Sequence, residues 1–269
     1  MSDEARYEDV TVERGTGPWL EIGVNRPEKR NAMREQTAAE LLDALRKAEK
    51  DTSVRGLILY GHEGHFCAGV DTSAFAAPDG GPFERWRERR TSRQISRLFA
   101  TLPEFTKPCI ASVEGYALGG GFELALMCDL IFAAKTAQFA LPEVKLGMLP
   151  GGGGTQTLCR VIGRAAAKRL IWTGQRISGA HAETLGIVST VTEQGGALAE
   201  ARSFMNELSR NAPLPIMYAK TLVDQGVDLT LRQALHQEGD LSFALSFSED
   251  REEGLLAFKE KRAPEFKGR

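Results

Sequence analysis

Two glutamates stand in surroundings that suit acid/base chemistry: Glu123 in the apolar run FELALM, and Glu143 in AQFALPEVKLG. A carboxylate among apolar neighbours pairs, holds a water or shifts its pKa upward. Two such groups meeting in one pocket can divide general acid and general base work between them. Lys145 beside Glu143 apart, no basic residue is placed to neutralise either one. For each glutamate the competing reading is a solvated side chain, the usual state of this residue type.

Each glutamate travels with a glycine cluster, GYALGGGFE (Gly115 to Glu123) or GMLPGGGGTQ (Gly147 to Gln156). The chain holds 28 glycines in 269 residues, where average usage gives about nineteen. Nine of them fall between Gly115 and Gly154. Glycines where a strand turns into a helix let backbone N–H groups approach a ligand, and a helix start favours negative charge. Phosphate, carboxylate or an oxyanion would fit. Neither cluster continues into the Lys-Ser/Thr of a P-loop or forms GxGxxG after a strand, which excludes the usual nucleotide cradles. Tight packing of a helix on a strand explains the same glycines equally well.

A third segment, GHEGHFCAGVD (Gly61 to Asp71), follows directly on the apolar run VRGLILY, at a strand end where α/β folds favour ligands. His62 and His65 lack a third metal partner and an HExxH context, so they are expected to face solvent from the loop, and no metal site is expected. There is no GxSxG elbow and no marked nucleophilic Ser or Cys, which disfavours a triad hydrolase.

The elements that must position these groups alternate in type. Strand patterns occupy Trp19 to Val24, Val54 to Tyr60, Cys109 to Val113 and Leu130 to Ala134, and a helical pattern runs from Arg34 to Lys50 with Ala38, Leu41, Leu42 and Leu45 on one face. Gly119 to Met127 reads as a helix that begins in glycines. Beyond Pro150 helical patterns dominate, at Gly154 to Val161, Ala165 to Thr173, Leu198 to Ser209, Pro215 to Asp224 and Leu231 to Phe247, with a strand signal at Ile187 to Val191. An α/β core over 1–195 and a helical region over 196–269 are therefore expected, with no linker between them.

Composition narrows the class. Hydrophobic residues make up 42% and charged residues 26%, with 11 prolines, which fits a globular chain. A net charge of -2 gives no general basic field for nucleic acid. The four cysteines, Cys67, Cys109, Cys128 and Cys159, form no CxxC pair and read as buried or reduced thiols. The acidic amino terminus carries no apolar leader, and no stretch is apolar enough to span a membrane, so a cytoplasmic protein is the expectation.

Four ordered blocks, NRPEKRNAM (Asn25 to Met33), HFCAGVD (His65 to Asp71), EGYALGGGFELALMCDL (Glu114 to Leu130) and FALPEVKLGMLPGGGGTQ (Phe139 to Gln156), resemble the crotonase, or enoyl-CoA hydratase/isomerase, family. AFKEKRAPEF (Ala257 to Phe266) is similar to that family's C-terminal segment. The resemblance implies a spiral of ββα units with a helical C-terminal trimerisation region, self-associated as a homotrimer or dimer of trimers. It also implies an acyl-CoA substrate and no cofactor, since coenzyme A is part of the substrate.

By the same resemblance the amides of Ala68 and Gly120 form an oxyanion hole for the thioester, each donor being worth about 3 to 4 kcal/mol of barrier lowering. Glu123 is the base toward water and Glu143 the proton donor to the α-carbon, which points to an enoyl-CoA hydratase. The alternatives are an isomerase, another enolate-based lyase or hydrolase, and an RNA-binding member of the family. Ala68, Gly69, Val70, Asp71, Gly120 and Phe122 are expected around the thioester, with Val70, Thr72 and Phe122 departing from the usual pattern. The acyl wall is expected in Ser73 to Arg93, including Phe75, Phe83 and Trp86. Arg26, Lys29 and Arg30, with Lys259 or Lys261 of a neighbouring subunit, are candidate contacts to CoA phosphates. Gly151 to Gly154 is expected to be mainly architectural.

Overall fold

The apolar runs at Leu57–Gly61, Cys109–Val113 and Leu130–Ala134 become strands, and the amphipathic run at Glu35–Lys50 becomes a helix, in the order that the periodicities suggest. The computed structural model describes residues 7–71, 81, 83–84, 86–87 and 93–269. In chain order the strands are β1 (Val10–Arg14), β2 (Leu20–Val24), β3 (Leu57–Gly61), β4 (Cys109–Val113), β5 (Tyr116–Leu118), β6 (Leu130–Ala134), β7 (Gln138–Ala140), β8 (Ile177–Ser178) and β9 (Thr190–Thr192). The helices are α1 (Glu35–Lys50), α2 (Gln94–Thr101), α3 (Gly120–Leu126), α4 (Gly154–Thr173), α5 (Gly179–Thr184), α6 (Ala197–Leu208), α7 (Pro213–Gly226), α8 (Leu231–Leu245) and α9 (Glu249–Glu260).

Six strands form one sheet in the order β1-β2-β3-β4-β6-β9, and β5, β7 and β8 form a second, small sheet. Only the β1–β2 pair of the large sheet is antiparallel. A parallel sheet is covered on both faces, which is why β3 and β6 read as near-continuous apolar runs. Leu57 and Leu59 of β3 point into the main core with Leu41, Leu42 and Leu45 of α1. Between them Ile58 points the other way and joins Trp19, Ile110 and Phe132 beneath Ala201 and Met205 of α6. Each such aliphatic side chain contributes about 1.5 to 3 kcal/mol by leaving water. Although α6 lies beyond residue 195, it covers one face of the sheet.

The boundaries of β4 and β6 are those expected, and α1 starts one residue late. The segments expected as two helices are consecutive parts of α4, separated by a break at Gly163, whose φ of 76° and ψ of 162° are not helical. The strand expected at Val54 to Tyr60 begins only at Leu57, where its pairing with β4 starts. The one expected at Ile187 to Val191 is displaced to Thr190–Thr192. No helix among the described residues is long and apolar enough to cross a membrane.

The small sheet delivers the chain to the site. β5 runs parallel to β7 and ends at Leu118, and the chain then turns through Gly119, at φ 51° and ψ -126°, into α3. That backbone conformation is one that side chains with a Cβ rarely adopt. Two residues on, the Cys67 carbonyl abuts Gly121 so closely that no Cβ fits. The start of α3 is thereby pressed against the loop of residues 66–70.

Candidate active site

A cavity of about 550 Å³ opens between these segments. Its lining combines the 68–70 loop, Gly119, Gly120 and Glu123 of the α3 turn, Pro142 and Glu143, and Gly151 and Gly152, with an apolar wall from Ile95, Phe99, Leu146, Met148 and Leu149. The two glutamates singled out in the sequence therefore face one space.

Their environments differ. Glu123 is 3% exposed, and its Oε1 accepts the backbone N–H groups of Gly152 and Gly154, both at 2.8 Å. Burial pushes its pKa up, and the amides of the glycine run pull in the opposite direction, leaving a net upward displacement. Glu143 opens a single helical turn, Glu143–Leu146, behind Pro142. Its Oε2 is buried and has no hydrogen-bond partner among the described residues. Burial, reinforced by the nearby charge of Glu123, pushes its pKa up to about 7. One carboxyl is thus held as an acceptor by two donors, and the other is left able to keep its proton.

The Gly151 to Gly154 run is consequently more than architectural. It supplies both amides that grip Glu123 from 29 and 31 residues away. Nothing local in the sequence marks that pairing.

The two amides expected at the oxyanion hole differ in their hydrogen bonding. The Gly120 amide stands at the first position of α3, where a helix offers an unpaired donor. The Ala68 amide, however, donates to the Arg30 carbonyl at 3.0 Å and is committed there. The amide that stands free beside Gly120 is that of Val70, 3.5 Å from the point where a Cβ on Gly120 would lie. On either side of it, Met33 donates to the Gly69 carbonyl and Asp71 to the Met33 carbonyl, both at 2.8 Å, so the loop is pinned while the Val70 N–H is not used. Among the described residues neither the Val70 nor the Gly120 amide has an acceptor. Gly69 adopts φ 112°, a backbone conformation that favours glycine, and both Val70 and Gly120 line the cavity.

Other expected residues are placed elsewhere. Arg26 is only 11% exposed at its side chain and bonds Asp71 at 3.1 Å and the Ala32 carbonyl at 2.6 Å, with Asp9 at 3.8 Å. It braces the loops from inside, and Asp71 is its partner; neither lines the cavity. Phe122 is 1% exposed and packs edge-on against Phe139, on the core side of α3 and away from the cavity. Phe83 and Trp86 stack on each other at 5.9 Å, both exposed, and do not contribute to the wall. Ser73, Phe75 and Thr72 lie outside the described residues.

Lys29, Arg30, Lys259 and Lys261 are all exposed. His62 bonds Thr11 at 2.8 Å, and His65 stacks on Tyr116 at 4.6 Å, so both rings are half-buried in contacts rather than free in solvent. The cavity wall that sequence reasoning missed comes from α2, whose helical spacing at Ile95 and Phe99 was the available signal.

Comparison with known proteins agrees with this geometry. The chain matches the enoyl-CoA hydratase/isomerase family over residues 18–269. It is 38% identical to the 2,3-dehydroadipyl-CoA hydratase of Escherichia coli strain K12, over 93% of this chain and 95% of that one. It is 40% identical to the mitochondrial enoyl-CoA hydratase domain-containing protein 2 of Bos taurus, over 92% and 84%. Among solved structures, the enoyl-CoA hydratase from Bacillus anthracis superposes with a TM-score of 0.91 at 33% identity, covering 97% of this chain and all of that one.

Proposed function

The chain belongs to the enoyl-CoA hydratase/isomerase family, and we propose that within it the protein is a hydratase that adds water across the α,β double bond of an enoyl-CoA thioester. The observation that carries this reading is the asymmetry of the two carboxyls on one cavity. Glu123 is gripped by two amides, and Glu143 is displaced to about 7 with a buried, unpartnered oxygen.

The thioester oxygen accepts the amides of Val70 and Gly120, whose hydrogen bonds strengthen as negative charge builds on that oxygen. Glu123, as the carboxylate, takes a proton from a water molecule while the water oxygen bonds to the β-carbon. The double-bond electrons move into the enolate. Glu143, as the neutral acid, gives its proton to the α-carbon, and the carbonyl reforms. One proton and one hydroxyl have been added, and the proton now on Glu123 must return to Glu143 before the next cycle. The pair therefore titrates as a unit. Coenzyme A enters as part of the substrate, and the reaction is written with no cofactor.

Lys29 and Arg30 are exposed cations suited to the CoA phosphates, joined by Lys259 or Lys261 from a neighbouring copy. A homotrimer or dimer of trimers would also cover the apolar side chains that α8 and α9 expose: Leu231 at 76%, Phe243 at 67% and Phe258 at 86%. Patches of that kind mark association surfaces.

The test is loss of the conjugated enoyl-thioester absorbance with crotonyl-CoA. Wild type reacts, and Glu123→Gln and Glu143→Gln each lower kcat by about 10²- to 10⁴-fold. Migration of the double bond without net hydration would replace this reading with an isomerase.

A further inference from the structure

The cavity wall carries a charge that hydration does not require. Arg93, just before α2, and Ser96 and Phe99 within it follow one another at three-residue spacing, and all line the cavity. Phe99 marks the end nearer the reaction. It lies over Gly152, where an added Cβ would come within 2.7 Å of its ring, and the Gly152 amide holds Glu123. Arg93 is six residues earlier, which corresponds to about 9 Å along a helix axis. The wall from Glu123 toward Arg93 passes Phe99 and Ile95, with Val70, Leu146 and Leu149 also facing the space.

Arg93 is the one cation among the described residues that line the cavity. Glu35 sets its approach. One Glu35 oxygen accepts the Gln94 N–H at 2.6 Å and the Ile95 N–H at 3.3 Å, and the other stands 4.0 Å from the Arg93 Nε. The start of α2 is thus anchored, with a guanidinium held a short chain length from the two glutamates.

We propose that this cavity takes enoyl-CoA thioesters whose acyl chain ends in a carboxylate, and that Arg93, assisted by Ser96, receives that carboxylate. This names the substrate class of the site and rests on its reading as a thioester site. A carboxylate entering an apolar cavity is strongly disfavoured unless it is paired. A guanidinium offers it a planar, two-pronged donor. The displacement of both glutamates toward their neutral forms reduces the repulsion that an anionic tail would meet. The spacing along α2 suits a tail a few carbons longer than the reacting double bond.

The experiment titrates wild type, Arg93→Met and Arg93→Lys with hexanoyl-CoA, with its ω-carboxylated counterpart of equal length, and with free coenzyme A, following binding by calorimetry. Wild type binds the carboxylated thioester about tenfold or more tightly than hexanoyl-CoA, the range of a charge-assisted hydrogen bond. Arg93→Met brings the two affinities together, and Arg93→Lys restores part of the difference. Raising the salt concentration narrows the wild-type preference, a readout that needs no variant to fold.

Equal wild-type affinities for the two thioesters overturn the proposal. So does an Arg93→Met loss shared alike by all three ligands, which would assign the guanidinium to the CoA phosphates. Preference for the carboxylated ligand without hydration of its enoyl form would sink the hydratase reading and leave this site standing. Hydration without preference would do the reverse.

Discussion

The two glycine turns at the cavity use the same chemical group in opposite ways. At the first, the amide of Gly120 has no acceptor in the chain and stands beside the free amide of Val70. At the second, the amides of Gly152 and Gly154 are already occupied, both donating to Glu123 Oε1. In the mechanism proposed above, one pair receives an oxygen that becomes negative during reaction, while the other holds an oxygen that the protein itself supplies. The second turn also opposes what burial does to Glu123, since amide donors favour the anion while burial disfavours it. No such donors oppose burial at the Glu143 Oε2. Backbone donors at one carboxyl, and none at the buried oxygen of the other, give the two glutamates different environments on one cavity, which is the difference the proposed base and acid roles rest on.

Between the two turns, the larger effect should come from deleting the donor at the first. Gly120→Pro removes the amide at a helix position that tolerates proline and lowers kcat by about 10²- to 10³-fold. Gly120→Ala places a comparable carbon, 2.9 Å from Val70 Cγ2, but keeps the N–H. The difference between the two kcat values isolates the amide, and equal losses would show that crowding alone is responsible.

At the second turn the expected signature is a pH shift. Gly152→Ala forces a methyl against the Phe99 ring and loosens the grip on Glu123. With fewer donors the carboxylate is less favoured, its pKa rises, and the acid limb of kcat/KM moves to higher pH. An unmoved limb with intact folding would break the contrast drawn between the turns.

The smallest effect is on stability. The folded state holds the Glu143 proton up to about pH 7, whereas an unfolded chain releases it near about 4.3. Between those values the native state binds more protons, so wild-type stability falls as pH rises. Glu143→Gln lacks this dependence. Its stability relative to wild type should climb across that window and level off above it, as denaturant titrations at several pH values would record.

Much of the frame was legible because strand and helix periodicities are local. Cys109 to Val113 and Leu130 to Ala134 were readable as strands, and Glu123 and Glu143 stood out as carboxylates in apolar settings. What escaped the sequence depends on partners far along the chain. Whether the Ala68 or the Val70 amide is free is decided by the Arg30 carbonyl, and whether Arg26 can meet a ligand is decided by Asp71, 45 residues away. β1 was unreadable because three of its five residues, Val12, Glu13 and Arg14, are exposed at a sheet edge and two of those are charged. The Gly151 to Gly154 run reads as mainly architectural because its acceptor, Glu123, lies on another element.

Asn31 shows what that long-range dependence entails. Fully buried in a left-handed conformation at φ 59°, it donates to the carbonyls of His62 and His65 and accepts from the Arg26 amide. It thereby ties the 26–33 loop to the segment leading to Val70. The free amide of Val70 exists only after segments 31 residues apart have met, and its companion at Gly120 requires a further and longer closure, that of Cys67 with Ala117. Contacts of such sequence separation form late and slowly in folding. A nascent or partly refolded chain could therefore carry much of its helix and still have no place for a thioester, so catalytic competence is a property of the completed topology and of no fragment within it.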